Sequence, residues 1–110
     1  MPEINMEKLV KDMAGAATGV LKEKWPSVKI YAEAEFKKLG ETVIAVQKSK
    51  LTGNITEEEA RLLLEMQKNA MRSVFLTVEG LGIIAVEEAI NAAMAVVRST
   101  INTAIGWSIL

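Results

Sequence analysis

Apolar side chains in the first half of the chain recur at the spacing of an α-helix. From Met6 to Val46 they follow one another in steps of three or four residues, so they share one helical face. Pro26 interrupts this stripe without shifting its phase. It predicts either a kink or a break followed by a helix with proline in its first turn. We therefore expect a helical arm over about residues 3–50 with one continuous buried face.

Turn residues at positions 51–55 separate this arm from the rest of the chain. Directly after them, Thr56 and Glu59 have the spacing of a capping box, which marks the start of a helix. Lys48 and Lys50, just before the turn, suit the last turn of a helix, where the helix dipole favours positive charge. The pattern predicts a second helical arm over about residues 56–107 that returns along the first.

The second arm is apolar over most of its circumference. Only four charged residues fall within 73–110, and a single partner helix covers only one stripe of such a surface. Large uncovered apolar surfaces mark interfaces, so we expect a homo-oligomer or a protein partner at this C-terminal apolar face. The predicted interface residues are Phe75, Ile83, Ile84, Ile90, Val97, Ile101 and Trp107.

Two all-α architectures fit these patterns within a single domain over residues 1–110. In the first, a long antiparallel helical hairpin is kinked near Pro26 and Gly80–Gly82 and associates with other copies into a helical bundle. In the alternative, both breaks are full turns and the chain is a monomeric up-down four-helix bundle. We favour the hairpin, because the two breaks offer few residues for a reversal between helices.

Folding the chain about Gly53 also places small residues opposite one another. The run 14–19, which includes Gly15 and Gly19, then faces Ala89, Ala92 and Ala93. Small facing side chains allow helices to approach closely. Charged residues flank the two glycines, so the pattern favours close packing in a water-soluble bundle over a membrane dimer.

The composition excludes most familiar catalytic chemistry. The 110 residues contain no Cys and no His, so disulfides, Cys/His zinc sites, histidine-ligated haem and Ser-His or Cys-His pairs are absent. We therefore expect a non-enzymatic structural or protein-interaction module that needs no cofactor.

Carboxylates are the groups that remain for metal chemistry. The candidate ligands are Glu79, Glu87 and Glu88, with Glu33 and Glu35 from the facing arm as further candidates. The first alternative function is accordingly a ferritin-like carboxylate metal site in a helical bundle, although the histidines of such sites are missing. A further alternative is binding of an apolar small molecule between helices, since six methionines could line an adaptable cavity.

The net charge, the most apolar run and the N-terminal sequence bear on the expected partners and on the cellular location. The net charge is -1 and Lys alternates with Glu, so the chain lacks the basic stripe that nucleic-acid binding requires. The most apolar run, 81–97, contains Glu87 and Glu88, which argues against a membrane span. The N-terminus has no basic segment followed by an apolar core, so we expect a cytoplasmic protein.

Overall fold

In a computed structural model, which describes residues 4–107, the chain forms a bundle of four helices. They are α1 (Met6–Leu21), α2 (Trp25–Leu51), α3 (Glu57–Leu76) and α4 (Ile83–Ile105). Each helix runs antiparallel to the next, and the molecule measures 44 × 23 × 19 Å. The prediction of an all-α helical bundle is confirmed.

The first break is a full reversal rather than a kink. A straight helix through residues 6–51 would be about 69 Å long, but α1 turns back along α2. The backbone N–H of Ile4 donates to Gln47 Oε1 at 3.4 Å, and a Cβ added to Gly40 would lie 2.7 Å from Met6 Sδ. The favoured kinked hairpin is therefore corrected: the single chain has the four-helix arrangement that was the alternative.

Three residues make this reversal, because one of them adopts an unusual backbone conformation. A short 3-10 turn spans Lys22–Lys24, and Lys22 has φ 51° and ψ -118°. Pro26 follows in the first turn of α2, where its missing N–H has no helical partner to lose.

The second reversal lies at the same end of the bundle. It occupies residues 77–82, with Gly80 at φ 84°. Lys24 Nζ donates to the Gly80 carbonyl at 3.0 Å, so the two reversals are in contact. Folding the two arms about Gly53 predicts this proximity, because residue i then faces about residue 106 minus i, which places Pro26 opposite Gly80–Gly82.

The turn between α2 and α3 is as the sequence predicts. Gly53 has φ 72°, and Thr56 and Glu59 form a reciprocal capping box. The Thr56 N–H donates to Glu59 Oε1 at 2.9 Å, and the Glu59 N–H donates to Thr56 Oγ1 at 3.1 Å. The backbone N–H and then the hydroxyl of Thr56 lower the pKa of the Glu59 carboxyl.

All four helices contribute to one core. α2 and α4 touch across its centre, whereas α1 and α3 do not meet within the described range. The largest fully buried side chains are Phe36, Phe75, Met13, Leu39, Leu64, Met71, Ile90 and Ile101. α1 and α3 therefore each keep an outer face that no other part of the described chain covers.

Candidate interaction surfaces

More than half of the predicted interface residues lie inside the single chain. These residues are fully buried in the four-helix core: Phe75, Ile90, Val97 and Ile101. Ile90, Val97 and Ile101 are buried because α1 folds back and covers α4, which a kinked hairpin would have left open. Phe75, on α3, packs against Phe36 of α2. The core of this chain thus uses the apolar surface that the sequence assigned to a partner.

Ile83 and Ile84 have the opposite placement. Their exposed fractions are 71% and 76%, although they open an apolar helix. Leu76, the last residue of α3, is 47% exposed. We call these three residues the tip patch.

The tip patch lies where the end of α3 and the start of α4 are held together, one turn below it. Arg72 Nε donates to Glu87 Oε1 at 2.8 Å. Leu76 lies one turn beyond Arg72 on α3, and Ile83 lies one turn before Glu87 on α4. The apolar side chains therefore sit at one level above a polar pair.

A second group of exposed apolar side chains lies on α3. Leu62, Leu63 and Met66 are exposed, and Leu62 and Met66 share a face because they are four residues apart. None of these three residues is among the predicted interface residues. The run Leu62-Leu63-Leu64 could have indicated them. Three successive apolar residues span more of the helix circumference than one neighbouring helix covers.

Trp107 is docked on its own chain. Its side chain is partly buried against the core, and Lys50 Nζ lies 5.6 Å from the ring centroid, a cation–π contact. The same ammonium donates to the Ile105 carbonyl at 3.0 Å. The apolar segment after α4 thus returns to the bundle as far as Trp107, and residues 108–110 lie outside the described range.

The candidate metal ligands are not brought together. Glu79 and Glu88 are exposed, and Glu87 is bound to Arg72. Glu33 is exposed, while Glu35 is buried and accepts a hydrogen bond from Lys38 Nζ at 3.1 Å. Between residues 4 and 107, no three Asp or Glu side chains form a group that could hold a metal ion.

An open groove of about 740 Å³ runs between α1 and α4. On the α1 side, Lys8 Nζ and Asp12 Oδ2 are 2.8 Å apart and form part of its rim. The groove is lined by Ile4, Asn5, Lys8, Leu9, Asp12, Ala16, Ala92, Ala95, Val96, Ser99, Thr100, Thr103 and Ala104. It therefore combines small apolar side chains with hydroxyls and one ion pair.

The predicted pairing of small residues is correct only in part. Ala16 and Ala92 line the same groove, as folding about Gly53 predicts. Gly15 and Gly19, however, are exposed, and a Cβ added to either would meet no atom within 4 Å. Close packing inside this chain therefore does not account for the two glycines.

Within the described chain, none of the helices has an apolar stretch sufficient to cross a bilayer.

Comparison with models of protein families, with curated proteins and with solved structures found no match.

Proposed function

We propose that this protein is a non-enzymatic helical module that self-associates through the tip patch. The observation that carries the proposal is the exposure of Ile83 and Ile84, each above 70%, beside Leu76. Burying apolar surface stabilises a complex by roughly 25 cal/mol for each Å² removed from water. Neighbouring exposed apolar side chains of this kind are typical of an interface.

A second copy of the chain is the partner that best fits this patch. The three side chains carry no charge, so two copies related by a twofold axis would meet without opposing like charges. The Arg72–Glu87 pair beside them would supply the polar rim that surrounds an apolar interface. Leu62, Leu63 and Met66 on α3 add apolar area for a larger assembly or for a different protein.

The other features of the chain are compatible with a structural role. The chain has no Cys and no His, and within residues 4–107 no three Asp or Glu side chains form a group that could hold a metal ion. A cytoplasmic location remains a prediction from the sequence.

Sedimentation velocity of the untagged chain, from micromolar to near-millimolar concentration, tests the proposal. We expect the wild-type chain to associate and Ile84→Glu to reduce association, because a carboxylate would have to be buried in the interface. Ile30→Glu is the matched control, since Ile30 is 80% exposed and lies on α2, outside the tip patch. Circular dichroism should show all variants folded.

Three results would overturn the proposal. They are a wild-type chain that stays monomeric throughout, equal association of Ile84→Glu and wild type, and an equal loss of association in Ile30→Glu. The last result would show a general effect of added negative charge.

A second candidate function is binding of a small amphipathic molecule in the groove between α1 and α4. It is favoured by the groove's volume of about 740 Å³ and by its mixture of alanine, hydroxyl and charged side chains. Native mass spectrometry of protein purified without chelator or detergent tests it. Retained mass that disappears in Ala95→Trp would support it, and bare protein would not.

A further inference from the structure

Charged and apolar side chains form two adjacent rows on the outer side of α3. Arg61 is exposed and Glu65 is half-buried, and the two share one row because they are four residues apart. Leu62 and Met66 form the neighbouring row, with exposed fractions of 59% and 66%. Within residues 4–107, neither charged residue forms an ion pair. α3 therefore presents a charged row and an apolar row to the outside of the chain.

The groove between α1 and α4 has a matching composition. Its α1 wall carries Lys8 and Asp12, which are also four residues apart and whose Nζ and Oδ2 atoms are separated by 2.8 Å. Its α4 wall carries short apolar side chains, among them Ala95 and Val96. Along α1 the groove extends over residues 4–16, about 18 Å at the rise of an α-helix. That length accommodates about three turns of a docked helix.

We propose that α3 of one copy docks in this groove of a second copy, antiparallel to the second copy's α1. Residue i of α3 then lies opposite residue 73 minus i of α1. Arg61 meets the partner's Asp12, and Glu65 meets the partner's Lys8. The apolar row, which lies beside the charged row, meets the short apolar side chains of the partner's α4 wall.

The charges select this orientation over the parallel one. A parallel α3 would bring Arg61 beside the partner's Lys8 and Glu65 beside the partner's Asp12. Both contacts would join like charges, which disfavours that arrangement. The antiparallel arrangement gives all four side chains a neighbour of opposite charge. Charge complementarity over one turn of each helix therefore identifies a second copy of this chain as the occupant of the groove.

The same contact covers apolar surface that the single chain leaves open. Leu62 and Met66 are long side chains that project from α3, whereas Ala95 and Val96 on the groove wall are short. Long side chains of one helix pack into the space that short side chains leave on another. Removing the two exposed side chains from water would stabilise the contact. One contact thus accounts for two separate observations, the groove and the exposed apolar row.

The two surfaces lie on different sides of the bundle. α1 and α3 do not touch within the described range, because α2 and α4 meet between them. One chain can therefore insert its α3 into one neighbour while it accepts the α3 of another. A contact between two different surfaces repeats head to tail, so it produces a ring or a filament.

This inference goes beyond the proposed function, because neither surface belongs to the tip patch. It rests on that proposal only in requiring that the chain self-associates. It also assigns the groove to a helix of a second copy, and a small molecule in the groove becomes an outcome that the test must exclude.

Charge exchange is the direct test. The variant Arg61→Glu/Glu65→Arg reverses the row on α3, and Lys8→Glu/Asp12→Lys reverses the groove wall, while the net charge of the chain stays the same. In sedimentation velocity at low salt, each variant alone should associate about tenfold more weakly than wild type, because both contacts become repulsive. An equimolar mixture of the two variants should recover wild-type association. In the mixture, each α3 finds a groove of matching charge on the other variant.

Recovery on mixing excludes a merely structural effect, because damage to either fold would persist in the mixture. Circular dichroism should show both variants folded. The proposal fails if the wild-type chain stays monomeric, if the exchanged variants associate like wild type, or if the mixture associates no better than its components. Wild-type association by the exchanged variants, together with a small molecule retained in native mass spectra, would assign the groove to that molecule instead.

The apolar row allows a second test that changes no charge. Leu62→Gln should weaken association several-fold, because an amide replaces an apolar group at the contact. Ile30→Gln is the matched control, since Ile30 is 80% exposed and lies on α2, away from both surfaces. Equal effects of the two substitutions would contradict the docking of α3.

The results also distinguish this inference from the proposed function. If Ile84→Glu reduces association while the exchanged variants associate like wild type, the tip patch stands and the docking of α3 fails. If the exchanged variants lose association, their mixture recovers it and Ile84→Glu has no effect, the docking of α3 stands and the tip patch fails.

Discussion

The rings of Phe36 and Phe75 meet edge to face in the centre of the bundle. Their centroids are 6.2 Å apart and their planes are inclined at 76°. Both side chains are fully buried, and together they join α2 to α3. Such pairs contribute about 0.5–1.5 kcal/mol beyond the burial of their surface.

Phe75→Ala should destabilise the fold by about 3–5 kcal/mol, because it removes this contact and leaves a cavity. Urea unfolding monitored by circular dichroism measures the change. The neighbouring substitution Leu76→Ala is the control, since Leu76 is half exposed in the tip patch and should change the free energy of unfolding by less than about 1 kcal/mol. Equal losses from the two would contradict the assignment of Phe75 to the core.

The capping box at the start of α3 predicts a cost for Thr56→Ala. Alanine removes the oxygen that accepts the Glu59 N–H, and loss of such a cap typically costs about 1 kcal/mol of stability. Thr56→Ser keeps the hydroxyl and should retain most of the stability that the cap contributes. Comparable destabilisation by both variants would show that the hydroxyl is not what stabilises this helix.

Glu59 makes the stability of α3 depend on pH. Its pKa is lowered in the folded chain, so the folded state favours the charged carboxylate. The contribution is present above the unfolded pKa, near 4.5, and is lost as pH falls through the lowered folded value. Glu59→Gln should therefore be less stable than wild type at neutral pH. The difference in free energy of unfolding between the two should become smaller as the pH falls from the unfolded pKa through the lowered folded pKa. A gap independent of pH would contradict the prediction.

Lys22 occupies a backbone conformation that suits glycine. Its φ of 51° with ψ of -118° is rarely adopted by residues with a side chain, and such strain costs of order 1–3 kcal/mol. Lys22→Gly should raise the free energy of unfolding by about 1 kcal/mol once the greater freedom of the unfolded glycine chain is counted. Lys37→Gly, in the exposed interior of α2, should lower it by a similar amount. Destabilisation by both would refute the strained turn.

Gly40 allows α1 to approach α2. A Cβ at this position would lie 2.7 Å from Met6 Sδ and 3.6 Å from Val10 Cγ2. Gly40→Leu should cost about 1–3 kcal/mol through overpacking. Part of this cost should disappear in the Met6→Ala background, because the obstructing sulfur is gone. A double-mutant cycle in urea measures the coupling, and additive effects would contradict the contact.

The features that could be predicted from the sequence are those encoded locally. The capping box needs only Thr56 and Glu59, and both helical arms follow from apolar spacing. The reversal at Lys22 could not be predicted, because lysine is not a turn residue and the apolar stripe keeps its phase through either a kink or a reversal. Pro26 fits both outcomes equally well.

The placement of the apolar residues of the second arm depended on that reversal. Spacing shows that Phe75 and Ile83 are apolar positions on helices, but it does not show how many helices cover each. When α1 folds back, it covers α4, and the large apolar side chains of α4 that stay exposed are Ile83 and Ile84 at its first turn. The tip patch is therefore a tertiary property of the chain.

The contacts of α2 with both ends of the described chain have a consequence for its connectivity. Ile4 bonds to Gln47, and one turn further along, Lys50 holds the carbonyl of Ile105. The two ends are thus neighbours, and a short linker could join them without disturbing a helix. A circular permutant joined there and opened at residues 53–54 should retain the bundle. The fold then depends on how the four helices pack and not on the order in which the chain connects them.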